Sequence, residues 1–383
     1  MEKAIEERYR DLLTKHRRAL HRIPELGDDV FETGRYIWEQ LEACHPDELR
    51  HFIGTGIRAV FRCSREKAKT IAFRSDMDAL PIEEKGECPF RSEHPGKMHA
   101  CGHDGHMANL LTLAAWIADH RDLMNCNAVL IFQPAEETIG GAKRMIDEGV
   151  LKNPDADVVY GMHMAPDVPK GKIAVCAGPI MAQTSELNFH VVGQSAHGAT
   201  PHKGKDAICA AAYLITALQA LISRTVDPCK EALITIGRIE GGTQRNILAE
   251  NVELQGICRT FSNEVYEALE KKMYAVCEGI SAAFGVNCTL TRGVYYPCTE
   301  NSSAETENLI RLLGKRYLPA VPKMTAEDFS FYQLEVPGVF VFCGCMDDQY
   351  AAPLHSGNFG FDEQALESGF GLFCDILREY GEE

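Results

Sequence analysis

Two short stretches of this chain concentrate side chains that bind metal ions or move protons. Residues 98–106 contain a cysteine and three histidines, and Glu136 and Glu137 stand side by side directly after a strand-like apolar run. Packing gives no reason for such a concentration, because each of these groups is costly to bury without a partner. A divalent cation would supply that partner, and two cations beside a free carboxylate would activate water for hydrolysis.

Cys101 and His103 are the first candidate ligands. Alternate residues of an extended segment point in opposite directions, so a bent loop is needed to bring both side chains to one ion. We predict that this loop precedes a helix that begins near Gly105. His99 and His106 are interpreted as a group behind the ligands and as a helix residue. A Cys-x-His pair alone is a weak indication of a metal site.

Glu136 and Glu137 differ from an ordinary surface pair because they follow a predicted buried strand and precede Gly140 and Gly141. Two adjacent carboxylates repel each other unless one is neutralised. One is therefore expected to bind metal and the other to hold a proton part of the time. The alternative is a solvated helix N-terminus, where acidic residues are favourable, and the two glutamates alone leave both interpretations open.

Further candidates follow predicted strands in the same way: they are Asp76, Asp78, His163 and His355. Each histidine alone is more often a structural residue than a ligand. Together with Cys101, His103 and one glutamate, the two histidines His163 and His355 make a set that suits two ions with open positions for water. The two aspartates fit behind the ligands, as carboxylates that orient ligating histidines, and Asp78 is counted with the catalytic residues.

The region from 181 to 330 holds another group of candidates in polar loops and at a strand end, namely His197, Asn246, Arg259 and the segment 327–329. His197 is placed to donate a hydrogen bond to a developing oxyanion, with a structural loop histidine as the equal alternative. Arg259 suits bidentate recognition of a carboxylate, with a surface ion pair of little worth as the alternative. Glu327 and Asp328 either shape a pocket or bind substrate, and the sequence leaves that choice open.

The pattern of apolar runs predicts an α/β protein of two domains. From 70 to about 176, continuous apolar runs each lead into polar residues. This is typical of a mostly parallel sheet that is buried on both faces and has its site at the carboxyl ends of the strands. From 181 the order becomes β-α-β-β-α-β, that of a ferredoxin-like unit. We therefore predict a metal-binding catalytic domain of residues 1–180 and 295–383 and an inserted lid domain of residues 181–294.

Composition and charge narrow the possible partners. The chain has 383 residues and a formal net charge of −16, so neither nucleic acid nor a membrane is expected as a partner, since nucleic acid and anionic lipid select a basic surface. The most apolar stretch, 208–222, is interrupted by Thr216 and Gln219 and falls short of a membrane span. Residues 1–8 lack the apolar core of a signal peptide, and the fifteen cysteines include no Cys-x-x-Cys pair. We therefore expect reduced thiols and a cytoplasmic protein.

The same residues occur, in the same order, in a known family. The chain resembles, essentially end to end, the di-metal amidohydrolases that include hippurate hydrolase, auxin-conjugate hydrolases and bacterial N-acyl-amino-acid deacylases, which are relatives of aminoacylase and carboxypeptidase G2. The matching stretches are 21–26, 74–81, 98–104, 132–137, 196–202, 241–247, 326–329 and 354–355. So many motifs in one order make chance similarity implausible. The resemblance implies a metal domain with an inserted lid, through which subunits form a homodimer.

The resemblance also implies roles for individual positions. The implied ligands of two divalent ions are Cys101, His103, Glu137, His163 and His355. Glu136 is implied to be the general base, and His197 to assist the oxyanion, often from the neighbouring subunit. Asn246 and Arg259 fall where related enzymes touch the substrate carboxylate. The segment at Arg259 departs from the family, which usually has a threonine near Ile257.

We therefore expect a metal-dependent amidohydrolase whose substrate is a small N-acyl amino acid. The ions activate water, and Glu136 takes its proton and returns it to the departing amine. The stretches 163–166, 184–187 and 222–228 are most similar to deacetylases that act on N-acetyl-LL-diaminopimelate in lysine biosynthesis. A thiolate ligand favours Zn²⁺, and Mn²⁺, Co²⁺ and Ni²⁺ remain open.

Three other functions stay open at this point. One is a metallo-carboxypeptidase or dipeptidase of the same family. Another is a cysteine hydrolase with Cys101 as nucleophile and His103 as base, which would leave Glu136, Glu137 and His163 without roles. The third is a non-catalytic binder of acyl amino acids or metal, which would have no need of a general base.

Overall fold

The computed structural model of this chain describes residues 5–380. Its helices are α1 (Glu7–Arg22), α2 (Phe31–Glu42), α3 (His103–His120), α4 (Ala142–Asp147), α5 (Ala207–Thr225), α6 (Asn263–Phe284), α7 (Ser303–Leu313), α8 (Ser330–Glu335) and α9 (Leu366–Glu379). Its strands are β1 (Glu48–Phe52), β2 (Gly56–Phe61), β3 (Thr70–Asp76), β4 (Asn127–Gln133), β5 (Val158–Pro169), β6 (Ile173–Val175), β7 (Gly178–Met181), β8 (Gln183–Val192), β9 (Ala232–Gly241), β10 (Asn251–Thr260), β11 (Asn287–Tyr296), β12 (Thr299–Asn301), β13 (Tyr317–Pro319) and β14 (Gly338–Met346).

The larger sheet is mixed, with parallel strands at its centre. Its eight strands run in the order β1-β2-β4-β3-β5-β14-β6-β13. The central strands β4, β3, β5 and β14 are parallel to one another. Parallel neighbours end at the same edge of a sheet, so the polar residues that follow β3 and β4 and the polar end of β5 lie close together there. The predicted mostly parallel α/β sheet is confirmed.

Burial explains why these segments form central strands and a core helix. Every residue of β3 is buried, as the apolar run that begins at Thr70 predicts for a strand covered on both faces. Helix α3 packs against α1, α9 and β3, and almost all of its side chains are buried. The first turn of α3 therefore starts inside the core, directly at the carboxyl edge of the sheet.

Two element boundaries near the predicted site differ from expectation. Helix α3 begins at His103 rather than near Gly105, because Gly102 adopts a left-handed φ of +87° that turns the chain into the helix. Strand β5 does not end before His163 but continues to Pro169. The reason is that β14 continues to pair with β5 beyond the last pairing of β3, with His163 opposite Phe342.

The chain divides into two compact units. The first comprises the chain up to Ile180, Glu300–Val321 and the residues from Asp328 onward, and the second comprises Met181–Thr299 and Pro322–Glu327. In the second unit the antiparallel sheet has the order β11-β8-β10-β9, as expected of a ferredoxin-like β-α-β-β-α-β unit. The sequence prediction ended this unit at residue 294, whereas it extends to Thr299, and it did not assign residues 322–327 to the unit. They join it through backbone hydrogen bonds from Ala182 to Lys323 and Thr325, which leave no trace in an apolar pattern.

Helix α5 is long and apolar enough, by length and composition alone, to cross a membrane. One of its faces, which includes Ala210, Leu214 and Leu218, is buried in the hydrophobic core of the second unit. The same helix exposes Ile208 and Tyr213. Its apolar composition is therefore explained in part by the core against which it packs.

Helix α1 is tied to the start of α3 by buried charges. His21 Nδ1 lies 2.8 Å from Asp104 Oδ2 and its Nε2 lies 3.4 Å from Glu84 Oε1, while Arg17 Nε donates to the same Asp104 oxygen at 3.3 Å. Burial alone would lower the pKa of His21, but the hydrogen bonds with the two carboxylates outweigh it and raise the pKa to about 9. His21 is thus protonated at neutral pH and anchors α1 to the helix that carries His103.

This anchor predicts a loss of stability on the alkaline side of neutrality. The pKa of His21 rises from 6.5 to about 9 on folding, so its contribution to the free energy of unfolding is complete below pH 6.5 and disappears as the pH rises to 9. We expect urea unfolding of the wild-type protein to show this decline, and the His21→Gln variant to show less of it.

His16→Gln on the same helix is the matched control. Burial lowers the pKa of His16 to about 4, so its contribution is lost as the pH falls from 6.5 towards 4 and not on the alkaline side. An identical alkaline decline in the wild-type protein and in His21→Gln would contradict the assignment.

Candidate metal centre

Four predicted ligands from separate parts of the chain meet at the carboxyl edge of the sheet. Cys101 Sγ lies 3.3 Å from Nε2 of His163 and 3.3 Å from Nε2 of His355. The same Nε2 of His355 lies 3.1 Å from Glu137 Oε1. These residues come from the turn before α3, from β5, and from the loops that follow β14 and β4. The fold therefore assembles a thiol, two imidazoles and a carboxylate around one small volume.

His103 supplies a further donor atom to this group. Its Nδ1 donates to the carbonyl oxygen of Asp78 at 2.8 Å, which leaves Nε2 to face Glu137 Oε1 at 3.8 Å and Asp76 Oδ2 at 3.7 Å. Among the residues that the structure describes, this buried Nε2 has no hydrogen-bond partner. A buried acceptor without a partner is costly, and a cation would satisfy it.

The donor set as a whole fits divalent ions. Donor atoms of Cys101, His103 and His163 lie within 4.8 Å of one another, and so do those of Cys101, Glu137 and His355. Thiolate, imidazole and carboxylate are the ligands that Zn²⁺ and related transition-metal ions take in proteins. The two groups share Cys101, which is the arrangement expected for two neighbouring ions.

His106 and Asp76 support the ligands from behind. His106 Nε2 accepts the backbone N–H of Met164 at 2.9 Å, so its proton must lie on Nδ1, which donates to Asp76 Oδ1 at 2.6 Å. Both nitrogens of His106 are thereby occupied, as expected for a helix residue that is not a ligand. The hydrogen bond to Met164 fixes β5 at the position next to His163.

Asp78 acts on the glutamate loop rather than on a histidine ring. Its Oδ1 accepts the backbone N–H of Glu136 and its Oδ2 that of Glu137, each at 3.0 Å. Burial raises the pKa of Asp78 well above its usual value, and the nearby Glu137 carboxylate raises it further. The expectation that this carboxylate orients a ligating histidine is wrong, because the carbonyl oxygen of Asp78, not its side chain, receives His103.

Glu136 lies next to the predicted ligands. Its side chain is only 8% exposed, and its carboxylate lies within 4.8 Å of donor atoms of His103 and Glu137. A carboxylate in that place can accept a proton from water held between the ligand groups. The two adjacent glutamates therefore occupy one site, and the solvated helix N-terminus considered from the sequence is excluded for Glu136 by its burial.

Burial has a strong effect on the protonation of two of the predicted ligands, His163 and Cys101. It lowers the pKa of His163 to about 3, so this imidazole is neutral and able to bind a cation. Burial and the neighbouring carboxylates raise the pKa of the Cys101 thiol well above its usual value. A cation held here would offset the charge of the thiolate, so its binding would be accompanied by loss of the thiol proton.

The contacts of Cys101 do not favour a cysteine hydrolase. Among the described residues its hydrogen bonds are with His163, His355 and Glu137, whereas Nε2 of His103 has no hydrogen-bond partner. A nucleophilic cysteine also needs a lowered thiol pKa, and the pKa of Cys101 is raised. These observations favour a ligand role over a nucleophilic one.

His197 and Asn246 are neighbours in the second unit. His197 and Ile247 form an isolated antiparallel β-bridge. The N–H of Gly198 donates to the carbonyl of Asn246 at 2.8 Å. His197 Nδ1 accepts the N–H of Ala199 at 3.0 Å. The neutral ring therefore carries its proton on Nε2, which is a donor on an exposed loop. That tautomer suits the predicted donation to an oxyanion.

Arg259 lies at the opposite end of β10 from Asn246. Its Nη1 donates to the carbonyl of Met324 at 2.7 Å, and its side chain is half-buried. Asn246 precedes β10, which begins at Asn251, and the eight residue-to-residue steps from Asn251 to Arg259 span roughly 27 Å in an antiparallel strand. The fold thus brings His197 and Asn246 together but keeps both far from Arg259.

Arg74 is a site residue that sequence reasoning missed. It is buried in β3, and its guanidinium donates to Asp76, Gln133 and Asp328. A signal was present in the sequence, since an arginine inside an otherwise apolar buried strand needs carboxylate partners. The aspartates that could serve were visible, but nothing in the sequence pairs position 74 with position 328.

Comparison with known families gives one match over most of the chain. Residues 72–379 match the model of peptidase family M20/M25/M40. The N-acetyldiaminopimelate deacetylase of Geobacillus sp. (strain WCH70) is 37% identical over 367 residues, which cover 94% of this chain and 96% of that protein. The N-acetyldiaminopimelate deacetylase of Halalkalibacterium halodurans is 38% identical over 355 residues, which cover 91% and 94%.

Solved structures agree with this result. The Bacillus subtilis YXEP protein, described as a dinuclear metal-binding peptidase from the M20 family, superposes with a TM-score of 0.84 at 31% sequence identity. The match covers 97% of this chain and 98% of that protein. The fold therefore has a direct structural parallel in a protein described as binding two metal ions.

Removal of a predicted ligand is expected to remove metal. We expect Cys101→Ala and Glu137→Ala to bind fewer ions than the wild-type protein after reconstitution with excess divalent metal, because each variant deletes a donor atom. Mass spectrometry of digested protein measures the ratio of metal to chain. Cys126→Ala is the control, since Cys126 is a buried thiol directly before β4, at the end of that strand away from Glu137. Wild-type metal content in both ligand variants would show that these residues do not hold the ions.

Proposed function

This chain belongs to peptidase family M20/M25/M40 and is a hydrolase of amide bonds, and on that basis we propose that it removes the acetyl group from an N-acetylated amino acid. N-acetyldiaminopimelate is the first candidate substrate, because relatives that are 35–38% identical over almost their whole length carry the name of that deacetylase. The observation that carries the proposal is the place of Glu136, buried beside His103 and Glu137.

Each residue at the edge of the sheet has a part in this reaction. Cys101, His103, Glu137, His163 and His355 would hold two divalent ions, which when bound would polarise the amide carbonyl and lower the pKa of the attacking water. Zn²⁺ suits a thiolate ligand, and Mn²⁺, Co²⁺ and Ni²⁺ suit the imidazoles and the carboxylate.

Glu136 moves the proton. Its carboxylate accepts the proton of the attacking water and delivers it to the nitrogen of the departing amine, so the amide C–N bond breaks as acetate and a free amine form. Asp78 holds the loop that carries Glu136 through two backbone N–H groups. His197 donates from Nε2 to the oxyanion as the carbonyl becomes tetrahedral.

The separation along β10 supports a homodimer. Asn246 and Arg259 both correspond to residues that touch the substrate carboxylate in related enzymes. Asn246 lies before the start of β10 and Arg259 lies near its end, and roughly 27 Å of strand separates these two ends. One copy of the second unit does not bring both to one carboxylate, so a second copy is the proposed source of one of them. Strand β9 is an edge of its sheet and exposes Ile239, and an exposed edge strand can pair with a second copy.

Glu136→Gln is expected to separate metal binding from turnover. The amide keeps the shape of the side chain but cannot take a proton, so we expect kcat for acetate release to fall roughly 10²–10⁴-fold. The metal content should match that of the wild-type protein, because the ligands are unchanged. A variant that turns over near the wild-type rate would show that Glu136 is not the base.

The substrate is tested by measuring amine release. N-acetyl-LL-diaminopimelate, other N-acetyl amino acids, N-benzoyl amino acids and short peptides are compared after reconstitution with Zn²⁺, Mn²⁺, Co²⁺ or Ni²⁺. We expect the highest kcat/KM with an N-acetylated substrate. Activity confined to peptides with a free N-terminus would overturn the deacetylase in favour of a peptidase of the same family.

The oligomeric state is tested with a charge on the edge strand. We expect the wild-type protein to sediment as a dimer and Ile239→Lys to shift towards the monomer, because lysine disfavours pairing of edge strands. Leu334→Lys, an equally exposed leucine position in the first unit, is the control. A wild-type monomer at micromolar concentration with full activity would contradict the dimer.

A further inference from the structure

Asp328 is a buried carboxylate whose oxygens are surrounded by donors of the protein. It has no solvent exposure. Its Oδ1 accepts Arg74 Nη2 at 2.6 Å, its Oδ2 accepts the backbone N–H groups of Gly141 at 2.9 Å and Ala142 at 3.0 Å, and Gln133 Nε2 lies 2.9 and 2.7 Å from the two oxygens. With its oxygens engaged in this way, Asp328 is not placed to bind a substrate.

Three of these donors, Gln133, Gly141 and Ala142, lie at the two ends of one loop. Gln133 is the last residue of β4, and Ala142 is the first residue of α4. The loop between Gln133 and Gly141, residues 134–140, carries both Glu136 and Glu137. Asp328 therefore joins the end of β4 to the start of α4. The two ends of the loop that bears the proposed base, Gln133 on one side and Gly141 and Ala142 on the other, are called its neck here, and Asp328 closes that neck.

The neck is tightly closed. A Cβ at Gly141 would lie 2.0 Å from the carbonyl oxygen of Pro134, so only glycine lets the two ends approach this closely. The N–H of Gly140 donates to the carbonyl of Ala135 at 2.9 Å. Any side chain at position 141 would force apart the two backbone segments that Asp328 holds together.

The loop contains a residue in an unfavourable backbone conformation. Ala135, directly before Glu136, has a φ of +64°, a region that a non-glycine residue occupies only when its surroundings impose it. Asp78 holds the interior of the loop through the N–H groups of Glu136 and Glu137. Asp328 holds the ends, so two buried carboxylates share the task of imposing this conformation.

Arg74 connects the neck to the other predicted ligands. Its Nη1 donates to Asp76 Oδ2 at 2.8 Å, and its Nη2 donates to Asp328. Asp76 in turn accepts His106, whose other nitrogen holds β5 beside His163. The positive guanidinium offsets the buried negative charge of Asp328, which would otherwise be too costly to bury.

We propose that Asp328 is a positioning residue for catalysis, which closes the neck of loop 134–140 and thereby holds Glu136 against the predicted ligands. The inference rests on the proposed role of Glu136 as the base. Asp328 acts through the loop and not on the substrate, so its loss is expected to change turnover more than substrate affinity.

The test replaces one buried oxygen with a donor. In Asp328→Asn the amide NH₂ must face either the N–H groups of Gly141 and Ala142 or the donors of Arg74 and Gln133, so one side of the neck opens. We expect kcat to fall roughly 10–100-fold, the range typical of residues that hold active-site groups from behind, with KM changed less than about twofold. Hydrogen exchange followed by mass spectrometry should be faster in the peptide that spans 134–142.

Asn301→Asp is the matched control. Asn301 is equally buried and joins separate segments in the same way, since its Nδ2 donates to the carbonyls of Cys176 and Phe340 and its Oδ1 accepts the N–H of Phe340. Asn301 lies outside loop 134–140. Replacing it with aspartate is therefore expected to lower the free energy of unfolding, while kcat per folded molecule stays near the wild-type value.

Gln133→Met is a second variant if Asp328→Asn does not fold. It removes one donor to Asp328 and one acceptor of Arg74, while Arg74 and Asp328 remain paired with each other. The same loop-specific exchange with reduced kcat is expected. Equal losses of kcat in Asp328→Asn and Asn301→Asp, or unchanged kcat and unchanged loop exchange in Asp328→Asn, would overturn the proposal. If the wild-type protein hydrolyses none of the amides, the proposed function fails, while hydrogen exchange in the peptide 134–142 still reports whether Asp328 closes the neck.

Discussion

The structure depends on the cost of holding charged side chains away from water at the carboxyl edge of the larger sheet. Asp76, Asp78 and Asp328 are completely buried there, and each carboxylate accepts hydrogen bonds from an arginine, a histidine or backbone N–H groups. A buried carboxylate without such donors would cost several kcal/mol. Since the donors belong to different strands and loops, the bonds that neutralise these acids also fix the elements that carry the predicted ligands.

Much of this arrangement could be predicted from the sequence because apolar periodicity and strand ends are local signals. The runs that begin at Thr70 and Ala128 became buried parallel strands, and the polar residues after them came to one edge of the sheet. The β-α-β-β-α-β order of the second unit could be predicted in the same way. His163 and His355 were each brought within hydrogen-bonding distance of Cys101, although the pattern alone left each histidine ambiguous.

The rest depended on hydrogen bonds that span long separations or involve only the backbone. Arg74 and Asp328 are 254 positions apart, and no periodic pattern pairs them. The carbonyl of Asp78 receives His103, where side-chain chemistry favoured its carboxylate. Helix α3 starts at His103 because Gly102 has a left-handed backbone conformation. A Cβ at position 102 would lie only 3.3 Å from the side chain of Met164. Backbone conformation of this kind is fixed by packing and not by residue type.

Cys101 gives the edge of the sheet a sensitivity that nitrogen and oxygen ligands do not have. All fifteen cysteines are free thiols, but Cys101 alone among them belongs to the predicted ligand set. Oxidation of its sulfur to a sulfinate would replace a soft donor with a bulkier, harder oxyanion. Because two predicted ion positions share this sulfur, a single chemical lesion would disable both at once, and hydrolysis would become conditional on a reducing environment.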